Sequence, residues 1–333
     1  MQSSDTVRTA MAMDVERREK PSRGKYATRL DAALWDYIDR VNGWYPPEIT
    51  DLPIDRQRMV YDKMCRAFRE AYPAGVEASD GTVAAGDHAI PVRRYRMAGG
   101  TPQATVVYYH GGGFILGGLD SHDDICAEIC AGTDFDVLSA DYRLAPEHLH
   151  PAAFDDALAV FEHAAATNDL PIVLCGESAG GNLAAAVAHA SRRHPAIGQV
   201  LIYPGLGGDE NTGSYVEHAA APLLTLSDIE FYRDVRSARA QPPDDPTFSP
   251  LSGSNFSGLP PTFIITAECD PLSSDGEAYR DRILAAGGRA WWREEPRLVH
   301  SFLRARRTVP RAGQAFARII AAIAALGKGD WPY

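Results

Sequence analysis

Residues 171–181, PIVLCGESAGG, place one serine in a glycine-rich turn directly after an apolar run. The run at 171–177 does not alternate in polarity, which is typical of a parallel strand covered by helices on both faces. The alanine-rich segment at 179–193 predicts a helix. The pattern G-x-S-x-G at 176–180 therefore lies between a buried strand and a helix. We expect this sharp turn to project the Ser178 hydroxyl above the sheet edge, with flanking glycines that leave room for a strained backbone.

Strand and helix patterns alternate along most of the chain after Pro73. Further strands are predicted at 88–97, 104–110, 135–142, 199–204, 262–268 and 288–295. Further helices are predicted at 121–132, 151–165, 275–287 and 311–326. The alternation favours the α/β class, with a doubly wound, mostly parallel sheet and helices on both faces.

The segment 206–250 interrupts this alternation, because it is rich in Gly, Pro and Asp and holds one predicted helix, at 225–237. Thr225 and Ser227 can cap that helix, and Glu230 follows Ser227 at the spacing of a capping box. An excursion of this length between two strands is usually functional, often as a lid or cap over a site.

The composition narrows the class of protein. The chain has 333 residues, 45% of them hydrophobic and 23% charged, and a net charge of −11. Its scattered Lys and Arg residues favour neither nucleic acid nor an anionic membrane as a partner. We expect no transmembrane helix and no secretory signal, since the N-terminal residues lack an apolar core segment. Five sparse cysteines are typical of reduced thiols, so we expect a cytoplasmic protein.

Two of those cysteines, Cys126 and Cys130, share one face of a predicted helix. A structural zinc site needs four ligands, and no matching Cys or His pair lies nearby in the sequence. We therefore expect both thiols to pack as small apolar side chains, and we expect no metal and no organic cofactor.

A second glycine-rich motif, HGGGF (110–114), follows the predicted strand 104–110. Its bare backbone N–H groups can turn toward a substrate oxygen and, with the amide of Ala179, form an oxyanion hole. A flexible loop and a phosphate-binding loop are the alternatives, and the absence of the Walker pattern disfavours nucleotide binding. We expect His110 to anchor the loop rather than act as a base.

A serine nucleophile needs a base and an orienting carboxylate, which follow it in the order acid, then histidine, in α/β-hydrolases. Asp270 comes directly after the predicted strand 262–268, and His300 is the only histidine downstream of it. Competing acids lie close in sequence but within strands or on helix faces: Glu268, Asp275, Glu294 and Glu295. The order and position favour Asp270 and His300.

Several sequence blocks resemble the hormone-sensitive-lipase-like (family IV) esterases over nearly all of the chain after residue 75. They are HGGGF, YRLAPEH (142–148), GESAGG, ITAECDPL and HSF, and the stretches at 110–123 and 222–232 look most like the bacterial acetyl esterases. The resemblance implies a triad of Ser178, Asp270 and His300, with oxyanion amides from Gly112, Gly113 and Ala179. It implies that Tyr142, Arg143, Pro146 and Glu147 brace the loop near the site.

The same resemblance implies an eight-stranded α/β-hydrolase fold. Residues 76–205 and 251–333 would form the catalytic domain, and residues 1–75 and 206–250 a helical cap. It also implies a small-molecule ester with a short acyl chain, acetyl to about hexanoyl, as substrate. The family often forms homodimers, although the sequence itself does not define the oligomeric state.

Two positions depart from the family pattern. Glu177 precedes the nucleophile where the family more often has Asp, and its extra methylene could alter hydrogen bonding to the loops around the triad. Ser274 stands where the family commonly carries a second Asp, with Asp275 next to it. The second departure leaves the role of that second acid open.

Substrate size depends on the pocket and the cap. Candidates for an apolar lining, for which core packing is the equal alternative, are Phe114, Leu116, Trp35, Trp44, Tyr215, Leu223 and Phe231. The chain offers no exposed apolar lid helix suited to an oil interface, which disfavours a long-chain lipase. Two other functions remain open: an amidase or deacetylase with the same triad, and a non-catalytic ligand-binding protein on a hydrolase scaffold.

Overall fold

The central sheet has eight strands in the order β1-β2-β4-β3-β5-β6-β7-β8 in the computed structural model, which describes residues 23–46, 48–191, 195–240 and 244–333. The strands are β1 (Val76–Ala85), β2 (His88–Met97), β3 (Thr105–Tyr109), β4 (Asp136–Ala140), β5 (Ile172–Glu177), β6 (Gly198–Ile202), β7 (Thr262–Cys269) and β8 (Ala290–Val299). β2 pairs antiparallel with both β1 and β4, and the other pairs are parallel. The α/β class and the mostly parallel sheet are thereby confirmed.

The described helices follow the predicted ones closely within the catalytic domain. They are α1 (Ala32–Asn42), α2 (Ile54–Phe68), α3 (Asp123–Thr133), α4 (Ala152–Thr167), α5 (Ala179–Ala190), α6 (Gly213–Glu217), α7 (Leu226–Ser237), α8 (Ser273–Ala285) and α9 (Pro310–Gly327). Short 3₁₀ turns lie at Gly24–Tyr26, Ile49–Asp51, Leu119–Ser121, Pro250–Ser252 and Phe302–Ala305. The prediction for residues 1–22 and the end of the predicted helix at 192–193 lie outside the described residues.

Helices cover both faces of the sheet, as the unbroken apolar runs indicated. Alternate residues of β3 point to opposite faces, so Val106 joins one hydrophobic cluster and Val107 joins the other. Helices α1, α3 and α9 complete the first cluster, and α4, α5 and α8 complete the second. Cys126 and Cys130 are fully buried in the first cluster, as apolar packing predicts. In the described part of the chain, no helix is long and apolar enough to cross a bilayer.

The strand β1 was not recognised from its own pattern, although the family resemblance implied an eighth strand. Seven of its ten residues are exposed, six of them in one unbroken run, so no alternation of apolar and polar residues marks it. It forms the sheet edge and pairs only with β2, residue for residue from Val76 to Ala85. Its partner strand, and not its own core contacts, therefore defines its position.

The 206–250 segment contains two helices in its described part, α6 and α7, where the sequence predicted one. The capping box of α7 also differs from the prediction. Thr225 is the N-cap and Asp228 the reciprocal partner, with the Thr225 N–H donating to the Asp228 carboxylate at 2.8 Å. The Ser227–Glu230 pairing was wrong, because the helix begins one residue before Ser227.

Candidate active site

Ser178 lies at the sharp turn between β5 and α5, with φ 53° and ψ −117°. The turn is possible only because its neighbours are glycines. A Cβ on Gly176 would overlap the backbone of Gly180, and a Cβ on Gly180 would overlap the carbonyl oxygen of Tyr109. The Ser178 N–H donates to the carbonyl of Ile202 at 2.9 Å, which fixes the turn to the neighbouring strand. The serine thus sits at the carboxyl edge of the sheet, where the G-x-S-x-G pattern placed it.

A chain of two hydrogen bonds runs from Ser178 to a buried carboxylate. His300 Nε2 lies 2.9 Å from Ser178 Oγ, and His300 Nδ1 lies 2.7 Å from Asp270 Oδ2. Asp270 has no exposed surface and also accepts the N–H of Leu272 at 2.9 Å. Because β7 and β8 are parallel neighbours, the loops that follow them bring the acid and the histidine together. A hydroxyl bound in this way to an oriented imidazole is arranged for nucleophilic attack.

The competing acids have other partners. Glu268 pairs with Arg29, Glu295 with Arg318, and Asp275 accepts the N–H of Leu206. Glu294 accepts a hydrogen bond from the hydroxyl of Ser273 at 2.7 Å. Asp270 is therefore the carboxylate that His300 contacts.

The HGGG loop lies beside the serine. Gly112 and Gly113 have φ values of 126° and 61°, which favour glycine, and both line the same cavity as Ser178, Ala179 and His300. Ala179 is the first residue of α5, so its amide belongs to the positive end of that helix. Gly112, Gly113 and Ala179 thus line the same cavity as the Ser178 hydroxyl.

Tyr142, one of the residues that the family resemblance assigned to bracing, contacts the start of the loop. The ring of His110 stacks on Tyr142 with centroids 4.2 Å apart, and Tyr142 donates its hydroxyl to the His110 carbonyl at 2.7 Å. Arg143 binds Asp156, and Glu147 binds Arg58. The ring Nδ1 of His110 donates to the Gly111 carbonyl at 2.8 Å, as expected of a residue that anchors the loop, and burial lowers the pKa of His110 to about 3, which makes it a weak base.

A cavity of about 880 Å³ opens over the serine. Six of the predicted lining residues border it: Phe114, Leu116, Trp35, Tyr215, Leu223 and Phe231. Trp44 does not, and 43% of its surface is exposed, so its assignment to the lining was wrong. Gly43 and Tyr45, on either side of it, do line the cavity, so the position of the Trp44 side chain and not the course of the backbone excludes it.

Comparison with known proteins identifies the family. A family model described as the alpha/beta hydrolase fold matches residues 106–304, more than half of the chain. The chain is an α/β-hydrolase. The match begins in β3 and ends beyond His300, so it spans the serine turn and the loops that carry Asp270 and His300.

Relatives of this α/β-hydrolase include ester hydrolases. Carboxylesterase NlhH of Mycobacterium tuberculosis is 40% identical over 230 residues, which cover 66% of this chain and 72% of that protein. Ethyl acetate hydrolase of Pseudomonas putida is 32% identical over 71% of this chain and 78% of its own. A hyperthermophilic esterase from Pyrobaculum calidifontis matches in structure with a TM-score of 0.82 and 31% identity, over 89% of this chain and 98% of that one. The resemblance to family IV esterases is confirmed.

The hydrolase also carries site residues that the sequence did not reveal. Tyr203 packs against the ring of His300 with centroids 4.8 Å apart, and the Tyr232 ring lies against Gly113. Arg236 lies between the rings of Phe114 and Phe248, at 3.6 and 4.2 Å from their centroids. Tyr203 lies near the end of the predicted strand 199–204, the next strand after the one that precedes Ser178, which is a signal that could have found it. Tyr232 and Arg236 reach the site only because of the way α7 packs on the glycine loop, and the sequence around them gives no such signal.

Proposed function

We propose that this α/β-hydrolase cleaves carboxylic esters with short acyl chains, from acetyl to about hexanoyl, through a covalent acyl-enzyme on Ser178. That the chain is a serine carboxylic-ester hydrolase follows from its family and from relatives named carboxylesterase, carboxylic ester hydrolase and acetyl esterase. The observation that carries the finer proposal is the chain of hydrogen bonds from Ser178 through His300 to the buried Asp270, beside the glycine loop.

In the proposed mechanism, Ser178 Oγ attacks the acyl carbonyl while His300 Nε2 accepts its proton. Asp270 holds the imidazole through Nδ1 and stabilises the imidazolium that forms. The His300 imidazolium then protonates the departing alcohol, and water attacks the acyl-enzyme by the same route. At the end of the cycle Ser178 regains its proton and the carboxylic acid leaves.

The oxyanion of each tetrahedral intermediate is stabilised by the amides of Gly112, Gly113 and Ala179. The support for this role is their common position around the cavity and the helix N-terminus at Ala179. Loss of one such donor typically lowers kcat by about 10²–10³. These amides therefore matter nearly as much to the mechanism as the side chains of the triad.

The short-chain preference is supported by the relatives, one of which is named for ethyl acetate and another for acetyl esters. We further propose that residues 1–75 and 206–250 act as the cap and that residues 76–205 and 251–333 act as the catalytic domain. Their described parts agree with this division, because α1, α2 and α7 contribute Trp35, Tyr61 and Tyr232 to the cavity wall above Ser178. Homodimer formation stays a prediction.

The test is hydrolysis of p-nitrophenyl esters from acetate to dodecanoate, with Ser178→Ala as the inactive variant and Ser79→Ala, on the exposed strand β1, as the matched serine control. We expect rates that peak between acetate and hexanoate, vanish in Ser178→Ala and persist in Ser79→Ala. A maximum at long chains would contradict the substrate range, and equal weak rates in wild type and Ser178→Ala would contradict the nucleophile. A paired anilide substrate distinguishes an amidase, and labelling by a fluorophosphonate distinguishes a non-catalytic binding protein.

A further inference from the structure

Glu177, the residue directly before the nucleophile, has a buried carboxylate with two different partners. Its Oε1 lies 2.6 Å from His122 Nε2, and its Oε2 accepts the hydroxyl of Tyr203. An ionised carboxylate only accepts hydrogen bonds, so both partners donate to it. One side chain, 5% exposed, therefore joins three segments that are far apart in sequence.

The Glu177 carboxylate supports the glycine loop at both ends. Gly111 rests directly on the carboxylate, since a Cβ at this position would overlap Glu177 Oε1. His122 Nδ1 lies 2.8 Å from Ser121 Oγ, which accepts the N–H of Gly118 at 3.0 Å. The stretch from Gly111 to Gly118 includes two of the three proposed oxyanion amides, and it is thus held at its start by Glu177 and at its end through His122.

The hydrogen bond from Tyr203 links Glu177 to His300, the proposed base. The Tyr203 ring packs against His300 at 4.8 Å and against Phe302 at 4.9 Å, measured between centroids. The hydrogen bond to Glu177 fixes the far end of the Tyr203 ring. The surface against which the His300 imidazole rests is therefore set by the same carboxylate that supports the loop.

The charge of Glu177 is matched by Arg304, which is 8% exposed. That guanidinium donates to the Ser121 carbonyl at 2.8 Å and to the Tyr61 hydroxyl at 3.1 Å. Burial alone would raise the pKa of Glu177, but His122, Arg304 and Tyr203 together lower it to about 2. Burial lowers the pKa of His122, which favours the neutral ring with its proton on Nε2. The buried cluster therefore holds one carboxylate, Glu177, and one guanidinium, Arg304, and the groups that donate to the carboxylate, His122 and Tyr203, are neutral.

We propose that Glu177 is a positioning residue for ester hydrolysis, which holds the oxyanion loop through His122 and the His300 ring through Tyr203 in register with Ser178. The inference rests on the proposed function, because the groups that it aligns are those of the proposed mechanism. An error of about 1 Å in such an alignment can lower the rate by about 10²-fold without any change at the reacting atoms.

The test compares Glu177→Gln and Glu177→Asp with wild type, using p-nitrophenyl butyrate at a temperature well below the Tm of each protein. The Gln amide has one accepting oxygen, so one partner loses its acceptor and Arg304 loses its counter-charge. We expect kcat to fall by about 10²-fold while KM stays within about twofold. Asp keeps the charge but has a shorter reach, so its kcat should lie between those of Gln and wild type.

The matched control is Asp136→Asn, which removes another buried, ion-paired carboxylate. Asp136 is the first residue of β4, so it lies at the amino ends of the parallel strands, whereas Ser178 lies at their carboxyl ends. It should lower Tm and leave kcat unchanged. If Glu177→Gln likewise lowers Tm only, or if Glu177→Asp is no more active than Glu177→Gln, the positioning role is wrong.

A second variant, Tyr203→Phe, keeps the ring against His300 and removes only the hydroxyl that binds Glu177. If Glu177 acts through Tyr203, the two changes together should lower kcat by less than the product of their separate effects. Independent effects that multiply would overturn the link to the base. If Glu177→Gln does not fold, the same comparison is made with Glu177→Asp and Tyr203→Phe. Activity that persists in Ser178→Ala would instead refute the proposed function, which separates the two failures.

Discussion

Asp275 gives the clearest prediction of a pH-dependent stability. Its Oδ2 accepts the N–H groups of Leu206 and Gly207 at 2.6 and 3.1 Å and the hydroxyl of Tyr215 at 3.1 Å, and so holds the start of the 206–250 segment. Burial raises the pKa of Asp275 from 3.8 to about 7, and these hydrogen bonds offset the rise only in part. This rise in pKa corresponds to about 4 kcal/mol of free energy of unfolding, since each tenfold change in proton affinity is worth about 1.4 kcal/mol.

The folded protein therefore keeps this proton to a higher pH than the unfolded chain does. Between pH 3.8 and about 7 the unfolded state releases it first, so the free energy of unfolding falls as pH rises through this window. The Asn side chain of Asp275→Asn has the shape of the protonated acid and does not ionise, so its free energy of unfolding does not fall for this reason as pH rises. We expect its stability relative to wild type to increase by about 4 kcal/mol between pH 4 and pH 8, an order-of-magnitude figure.

The measurement is Tm by calorimetry for both proteins from pH 4 to pH 8. A change of 1 kcal/mol shifts Tm by about 2–4 °C in chains of 150–250 residues, so a difference of several degrees is expected in this longer chain. The matched control is Asp124→Asn: burial would raise the pKa of Asp124, but Arg306 lowers it overall, so this variant should be least stable relative to wild type at neutral pH. A Tm difference for Asp275→Asn that is independent of pH would refute the reasoning.

Three further variants test the site. Asp270→Asn should lower kcat by about 10⁴-fold, because it favours the wrong tautomer of the bound imidazole; steady-state kinetics of a folded variant would check this. Gly180→Ala should yield little folded protein, since its methyl group would overlap the carbonyl of Tyr109, and circular dichroism of the purified material would reveal the loss. Gly113→Ala should lower kcat by at least 10²-fold, because its Cβ would lie 2.5 Å from the Tyr232 ring at a φ of 61°. Adding Tyr232→Ala should restore part of that activity, and no recovery in the double variant would show that the clash is not the cause.

The fold followed from the sequence because its signals are local. Apolar runs without alternation marked the central strands, and the glycines at 176–180 marked the turn at Ser178. Asp270 and His300 were found from chain order and from their positions after two predicted strands, and the structure brings both to the serine. The edge strand β1 escaped the pattern because its exposed residues need no apolar periodicity.

What the sequence did not predict depends on contacts between distant segments. Glu177 was recognised as unusual, but its partners, His122 and Tyr203, lie 55 and 26 residues away. The capping box of α7 was misplaced by two residues because Thr225 and Ser227 are both competent caps, and only the start of the helix decides between them. Trp44 was misassigned because composition does not tell which side of a loop an aromatic ring faces.

The docking of α7 has a consequence for engineering. Arg236 sits between Phe114 of the glycine loop and Phe248, and donates to the Phe248 carbonyl at 3.1 Å, while Tyr232 of the same helix packs on Gly113. A chimera that exchanges residues 206–250 with those of another esterase would thus replace two kinds of residue at once: those that line the cavity, and those that support the glycine loop. Chimeras that retain Arg236 and Tyr232 should keep turnover, while the other exchanged residues that line the cavity change the substrate range.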